Sequence, residues 1–70
     1  MEKNITLREA AIELGFNKSK LHYYVSIGLL EPKSEIAGTF VFNKFLLFQR
    51  IKKIDSLMKK YSLSQIKDML

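Results

Sequence analysis

Only three residues, Gly15-Phe16-Asn17, separate two stretches of helical periodicity, and no other feature constrains the fold of this chain as tightly. The first stretch opens on Thr6-Leu7-Arg8-Glu9, a capping box in which the Thr6 hydroxyl accepts from a free helix N–H and Glu9 reaches back to the Thr6 backbone. Its apolar residues Leu7, Ala10, Ala11 and Leu14 recur at i, i+3, i+4 and i+7, one narrow stripe. Gly15 then takes the left-handed conformation that ends a helix without strain. Asn17 caps a second helix, predicted over Lys18 to Ile27 and stopped by Gly28. Two short helices joined by so tight a glycine turn make a helix-turn-helix.

At 100° per residue, Leu21, Tyr24 and Val25 share one face of the second helix, with Tyr24 expected in the core and its hydroxyl at the rim. Ser19, His22, Tyr23 and Ser26 share the opposite face, with Lys18 and Lys20 on its flanks. From Leu29 to Phe42 no helical period survives. The run Phe40-Val41-Phe42, rich in β-formers and preceded by Gly38, predicts a short hairpin whose other strand lies near Leu30 to Ser34. Asn43 is placed to cap a third helix reaching roughly to Lys60. Leu47, Ile51, Ile54, Met58 and Tyr61 form its stripe, and Gln49, Lys52, Lys53, Ser56, Lys59 and Lys60 its polar side. Ser62-Leu63-Ser64-Gln65 repeats the capping-box pattern and opens a last helix with Leu63, Ile66 and Leu70 inward. The expected fold is mostly α: a helix-turn-helix, a β-hairpin wing and two further helices in a single domain over 1–70. Because the last helix has no C-terminal cap, the natural protein is expected to continue past Leu70.

Composition narrows the function. Seventy residues bury only roughly 60% of the surface that the unfolded chain exposes, and a core of that size rarely yields more than about 3–5 kcal/mol. With no cysteine there is neither a disulfide staple nor a thiolate metal site, so a reducing, cytoplasmic setting is expected. One histidine and seven scattered carboxylates offer no convergent set for acid–base or nucleophilic work, and no P-loop or dinucleotide pattern is present. The chain is therefore read as a non-enzyme with no cofactor and no metal. Its longest apolar run, Phe45-Leu46-Leu47-Phe48, is far short of the roughly 20 residues that span a bilayer, and no membrane partner is expected. Lys and Arg outnumber Asp and Glu by 12 to 7, and the pI near 9.6 makes nucleic acid a candidate partner.

A helix-turn-helix sets its second helix in the major groove of duplex DNA, with N-terminal residues at base edges and neighbours on phosphates. In that reading Lys18 and Lys20 neutralise phosphates or reach guanine, Ser19 bonds a base edge, and the Tyr23 hydroxyl bonds a phosphate. Asn17 and His22 complete the helix face, and Lys33 and Phe40 carry the hairpin's share of the contact.

Four blocks, Ile5-Thr6-Leu7-Arg8-Glu9-Ala10-Ala11, Leu14-Gly15-Phe16-Asn17, Leu21-His22-Tyr23-Tyr24 through Gly28-Leu29-Leu30-Glu31-Pro32, and Tyr61-Ser62-Leu63-Ser64-Gln65-Ile66, resemble the DNA-binding domain of the MerR family of bacterial transcription regulators. The third block is the most specific, since the family pattern there reads Leu-Arg-Tyr-Tyr and, a few residues on, Gly-Leu-Leu and a proline. The resemblance implies a winged helix-turn-helix in which the second helix reads the major groove and the wing grips the backbone. It also implies a homodimer formed through a coiled coil beyond Leu70, the bare domain being monomeric, and an effector sensed outside these residues. Two departures stand out. The family arginine that holds phosphate is His22 here, and the wing pattern Tyr-Arg-x-Tyr becomes Phe40-Val41-Phe42-Asn43 or, one residue earlier, Thr39-Phe40-Val41-Phe42, with no arginine in either register. The alternatives are a small excisionase-like architectural DNA-binding protein and a protein-binding module of antirepressor type.

Overall fold

The computed structural model describes residues 3–70; Met1 and Glu2, which the expected 1–70 domain includes, lie outside the described residues. Seven elements follow one another: β1 (Asn4–Thr6), α1 (Leu7–Leu14), α2 (Lys18–Ser26), β2 (Ser34–Ile36), β3 (Thr39–Asn43), α3 (Lys44–Leu57) and α4 (Leu63–Met69). Four helices thus pack with a small antiparallel sheet of strand order β1-β3-β2.

Local chemistry sets every helix boundary. Glu9 N donates to Thr6 Oγ1 at 3.1 Å while Thr6 N donates to Glu9 Oε1 at 3.0 Å, so the capping box of α1 is closed from both sides. At its other end Gly15 stands at φ 68°, its N–H on the Ile12 carbonyl and the Phe16 N–H on the Ala11 carbonyl. That pair of bonds is a Schellman motif, which reverses the chain within two residues. Asn17 Oδ1 accepts from Ser19 N to open α2. Gly28, at φ 85°, closes it with the same motif, Gly28 N on Val25 O and Leu29 N on Tyr24 O. The second reversal sends Leu29 and Leu30 straight into the core, where both are buried.

That burial explains why the hairpin starts later than the sequence suggests. Its first strand is Ser34–Ile36, not Leu30 to Ser34, because the two leucines are taken up by the core and Pro32 has no N–H to give a ladder. β2 and β3 pair through Ser34 with Val41, Glu35 with Phe40 and Ile36 with Thr39, so Ala37-Gly38 is a two-residue loop with both φ positive. β1 is an element not expected from the sequence. It pairs with the far edge of β3, Ile5 opposite Phe42, and Thr6 serves both as its last residue and as the cap of α1.

The helix α3 ends at Leu57 rather than near Lys60, because the Leu57 carbonyl accepts from both Lys60 N and Tyr61 N and the chain turns there. Leu47, Ile51 and Ile54 are buried as the stripe predicts, whereas Met58 and Tyr61 are exposed. The core collects Ile5 and Phe42 from the sheet, Leu7, Ala10 and Ala11 from α1, Leu21 and Tyr24 from α2, the α3 stripe and Ile66 from α4. Among the described residues no polar or charged residue is buried, and no buried side-chain nitrogen or oxygen lacks a partner. Tyr24 carries the one polar tip at the core's edge. Its hydroxyl donates to Met58 Sδ at 3.4 Å, and burial, with the Asp55 carboxylate adding to it, raises the phenol's pKa, so it stays a donor.

Candidate nucleic-acid interface

The two Schellman turns hold α2 by its Leu21 and Tyr24 side and leave Lys18, Ser19, His22, Tyr23 and Ser26 exposed on the other. Tyr23 is 52% exposed, a high value for an aromatic ring with no core contact to lose. Ser26 is used locally, its hydroxyl donating to the Tyr23 carbonyl at 2.8 Å. No acidic residue stands in α2. A helix N-terminus carries partial positive charge, and lysines rather than carboxylates in the first turn oppose folding slightly while favouring an anion beside them.

The hairpin reaches this face at His22. The His22 and Phe40 rings lie 5.6 Å apart between centroids and are tilted by 57°, an edge-to-face range that fixes β3 against the middle of α2. Lys18, Ser19, His22 and Tyr23 are exposed on α2, and the ring contact brings Phe40 to His22. The other three sites are placed differently. Asn17 spends its side-chain oxygen on the α2 cap, leaving its amide NH2 to face outward. Lys20 folds back over the Phe16 ring, its ammonium 4.1 Å from the centroid, with Tyr24 at 5.9 Å, so part of its charge is already engaged inside the chain. Lys33 donates from its backbone N–H to Val41 O at 2.7 Å and from Nζ to Asn4 Oδ1 at 3.4 Å, and it borders α3 rather than α2.

A second feature was not anticipated. An open groove runs between the segment Leu30 to Lys33 and the first half of α3, with Phe45, Leu46, Arg50 and Lys53 along its helical side. Its signal was present in the sequence, since Leu46, Arg50 and Lys53 recur at i, i+4 and i+7. The ion pair between Lys44 Nζ and Glu13 Oε2, at 3.1 Å, ties the start of α3 to the end of α1 and is half-exposed, a contact of about 0–1 kcal/mol that orients more than it stabilises.

Among the described residues no three His, Cys, Asp or Glu side chains gather in a way that would hold a metal ion, and no helix is long and apolar enough to cross a membrane. Compared with known proteins, the chain matches no family model, no curated protein and no solved structure.

Proposed function

We propose that this domain binds double-stranded DNA sequence-specifically in transcription control, in the manner of a MerR-type winged helix-turn-helix. In this reading α2 enters the major groove and the β2–β3 hairpin acts as the wing on the adjacent backbone. The observation that carries it is the exposed α2 face of Lys18, Ser19, His22 and Tyr23, free of carboxylates and flanked by the hairpin through the His22–Phe40 contact. Lys18 supplies the phosphate charge at the start of the helix, Ser19 reads a base edge, and the Tyr23 hydroxyl bonds the backbone. Lys20, held over Phe16, takes the smaller share of the electrostatic work. A single module offers one recognition helix and so binds one half-site, with affinity near the non-specific range of about 10⁻⁴–10⁻⁶ M. Joining two copies at matched half-site spacing raises it through effective concentration.

Fluorescence anisotropy against duplexes enriched by selection from a random pool tests the reading. The parent domain is expected to discriminate the selected duplex from a scrambled one. Lys18→Ala should make the slope of log K against log salt shallower by about 0.9 for the one phosphate released. No selectable duplex, or a slope untouched by Lys18→Ala and Tyr23→Ala together, would overturn it and favour the protein-binding alternative.

A further inference from the structure

The groove beside α3 combines two properties that one ligand class matches. Its floor is apolar, made by Leu30, Phe42 and Leu47, and its helical rim exposes Phe45 and Leu46 to 68% and 60%. Around that surface stand Arg50, Lys52 and Lys53 along α3 and Lys33 across the gap, against a single carboxylate, Glu31. Among the described residues no salt bridge joins Arg50, Lys52 or Lys53 to an acid. Neighbouring exposed aromatic and aliphatic side chains on a helix cost solubility with no return inside the fold, which marks an interaction surface. A duplex backbone offers nothing to fill an apolar floor, since its contacts are charge and hydrogen bonds. A second copy of this chain, at net charge +5, repels the rim. Neither α1 nor α2 contributes to the lining, so the groove stands apart from the proposed recognition helix and meets the hairpin only through Phe42 and Asn43 at the end of β3 and Lys33 before β2.

We propose that this groove docks an acidic amphipathic helix of a partner protein. The partner's apolar side chains settle on Phe45, Leu46 and the floor between them, and its carboxylates meet Arg50, Lys52 and Lys53. This is the helix-in-groove mode, in which apolar anchors supply affinity and rim charges set partner choice.

The probe is a fluorescent helical peptide of about 16 residues, roughly four turns, with Leu and Phe on one face and Glu on its flanks. Controls are the same peptide with Lys for Glu, and a duplex of scrambled sequence. The acidic peptide is expected to bind saturably and to shift the amide resonances of residues 30–33 and 45–53 in a 1H–15N spectrum while leaving those of 17–23 in place. Leu46→Ser combined with Lys53→Glu, both at exposed positions, should weaken it about tenfold, and Lys18→Ala should leave it unchanged. Since Lys18→Ala alters only DNA binding, failure here and failure of the DNA reading are distinguishable. Three results would overturn the proposal: no amide shifts at the groove, equal binding of the Lys-bearing peptide, or duplex DNA shifting the groove amides and displacing the acidic peptide.

Discussion

Ala37 holds φ at 51° in the hairpin turn, beside Gly38 at 77°. For an L-residue with a Cβ the left-handed region costs roughly 1–2 kcal/mol, while asparagine tolerates it. Ala37→Asn should therefore stabilise the domain by about 1 kcal/mol, raising Tm by roughly 4–8 °C in a chain of this size. Ala37→Gly should gain less, because glycine returns part of the relief as unfolded-state entropy. Thermal melts of the three proteins check the order Asn above Gly above Ala. Glu9 gives a second test at this scale. The Thr6 backbone N–H, then the Thr6 hydroxyl, and weakly the Lys44 charge hold its carboxyl below the ordinary glutamate range. A depressed folded-state pKa contributes stability that is fully present above the unfolded value and is lost as pH falls through the folded one. Glu9→Gln should melt below the parent at neutral pH, and the gap should close as the solution is acidified past that lowered value. The cap of α4 is a built-in contrast, since Gln65 makes the equivalent bond to Ser62 at 2.9 Å without a titrating group.

At the scale of elements, the helices were readable because their punctuation is local. Thr6, Asn17, Asn43 and Ser62 all cap the helices that the sequence assigns to them, each accepting from a backbone N–H two or three residues on. What escaped was set by distant partners. Asn4–Thr6 becomes a strand only because the edge of β3 is there to pair with it, and three residues carry no period of their own. Tyr61 looked like stripe and stands exposed because α3 stops at Leu57. The same limit applies to the candidate site: Ser19 and Tyr23 face outward as their spacing says, but nothing in or near α2 announces that Phe40 will lie on His22, whereas the contact of Lys20 with Phe16 joins residues only four apart in the sequence. The His22–Phe40 pair yields a prediction for α2 as a unit. If α2 lies against phosphates, His22→Arg adds a permanent charge with a forked donor, and affinity should rise several-fold with the salt slope steeper by about 0.9. If His22 serves only to seat the hairpin, the same change should lower Tm through the lost ring contact, worth about 0.5–1.5 kcal/mol, and leave affinity as it was. Anisotropy and melting on one pair of proteins separate the two.

For the molecule as a whole, stability rests on one apolar cluster, because no disulfide crosses it and the ion pair of Lys44 with Glu13 is half-exposed. α4 joins that cluster chiefly through Ile66, fully buried, with Leu63 and Leu70 partly buried beside it. A buried isoleucine cut back to alanine loses about 2–5 kcal/mol, transfer and cavity terms together. That is as much as a core in a chain of this length supplies, about 3–5 kcal/mol. Ile66→Ala should therefore not merely detach α4. The cavity opens in the cluster that also seats Leu21 and Tyr24 of α2, so the whole domain should lose its cooperative melt and collapse to a poorly dispersed 1H–15N spectrum at 25 °C. Ile66→Val, which removes one methyl, should keep the fold and lower stability by about 0.5–1.5 kcal/mol. Met69→Ser on the exposed side of the same helix should stay within about 0.5 kcal/mol of the parent. A cooperative Ile66→Ala melt close to that of the parent would mean that α4 is an appendage and that the α2 platform stands without it.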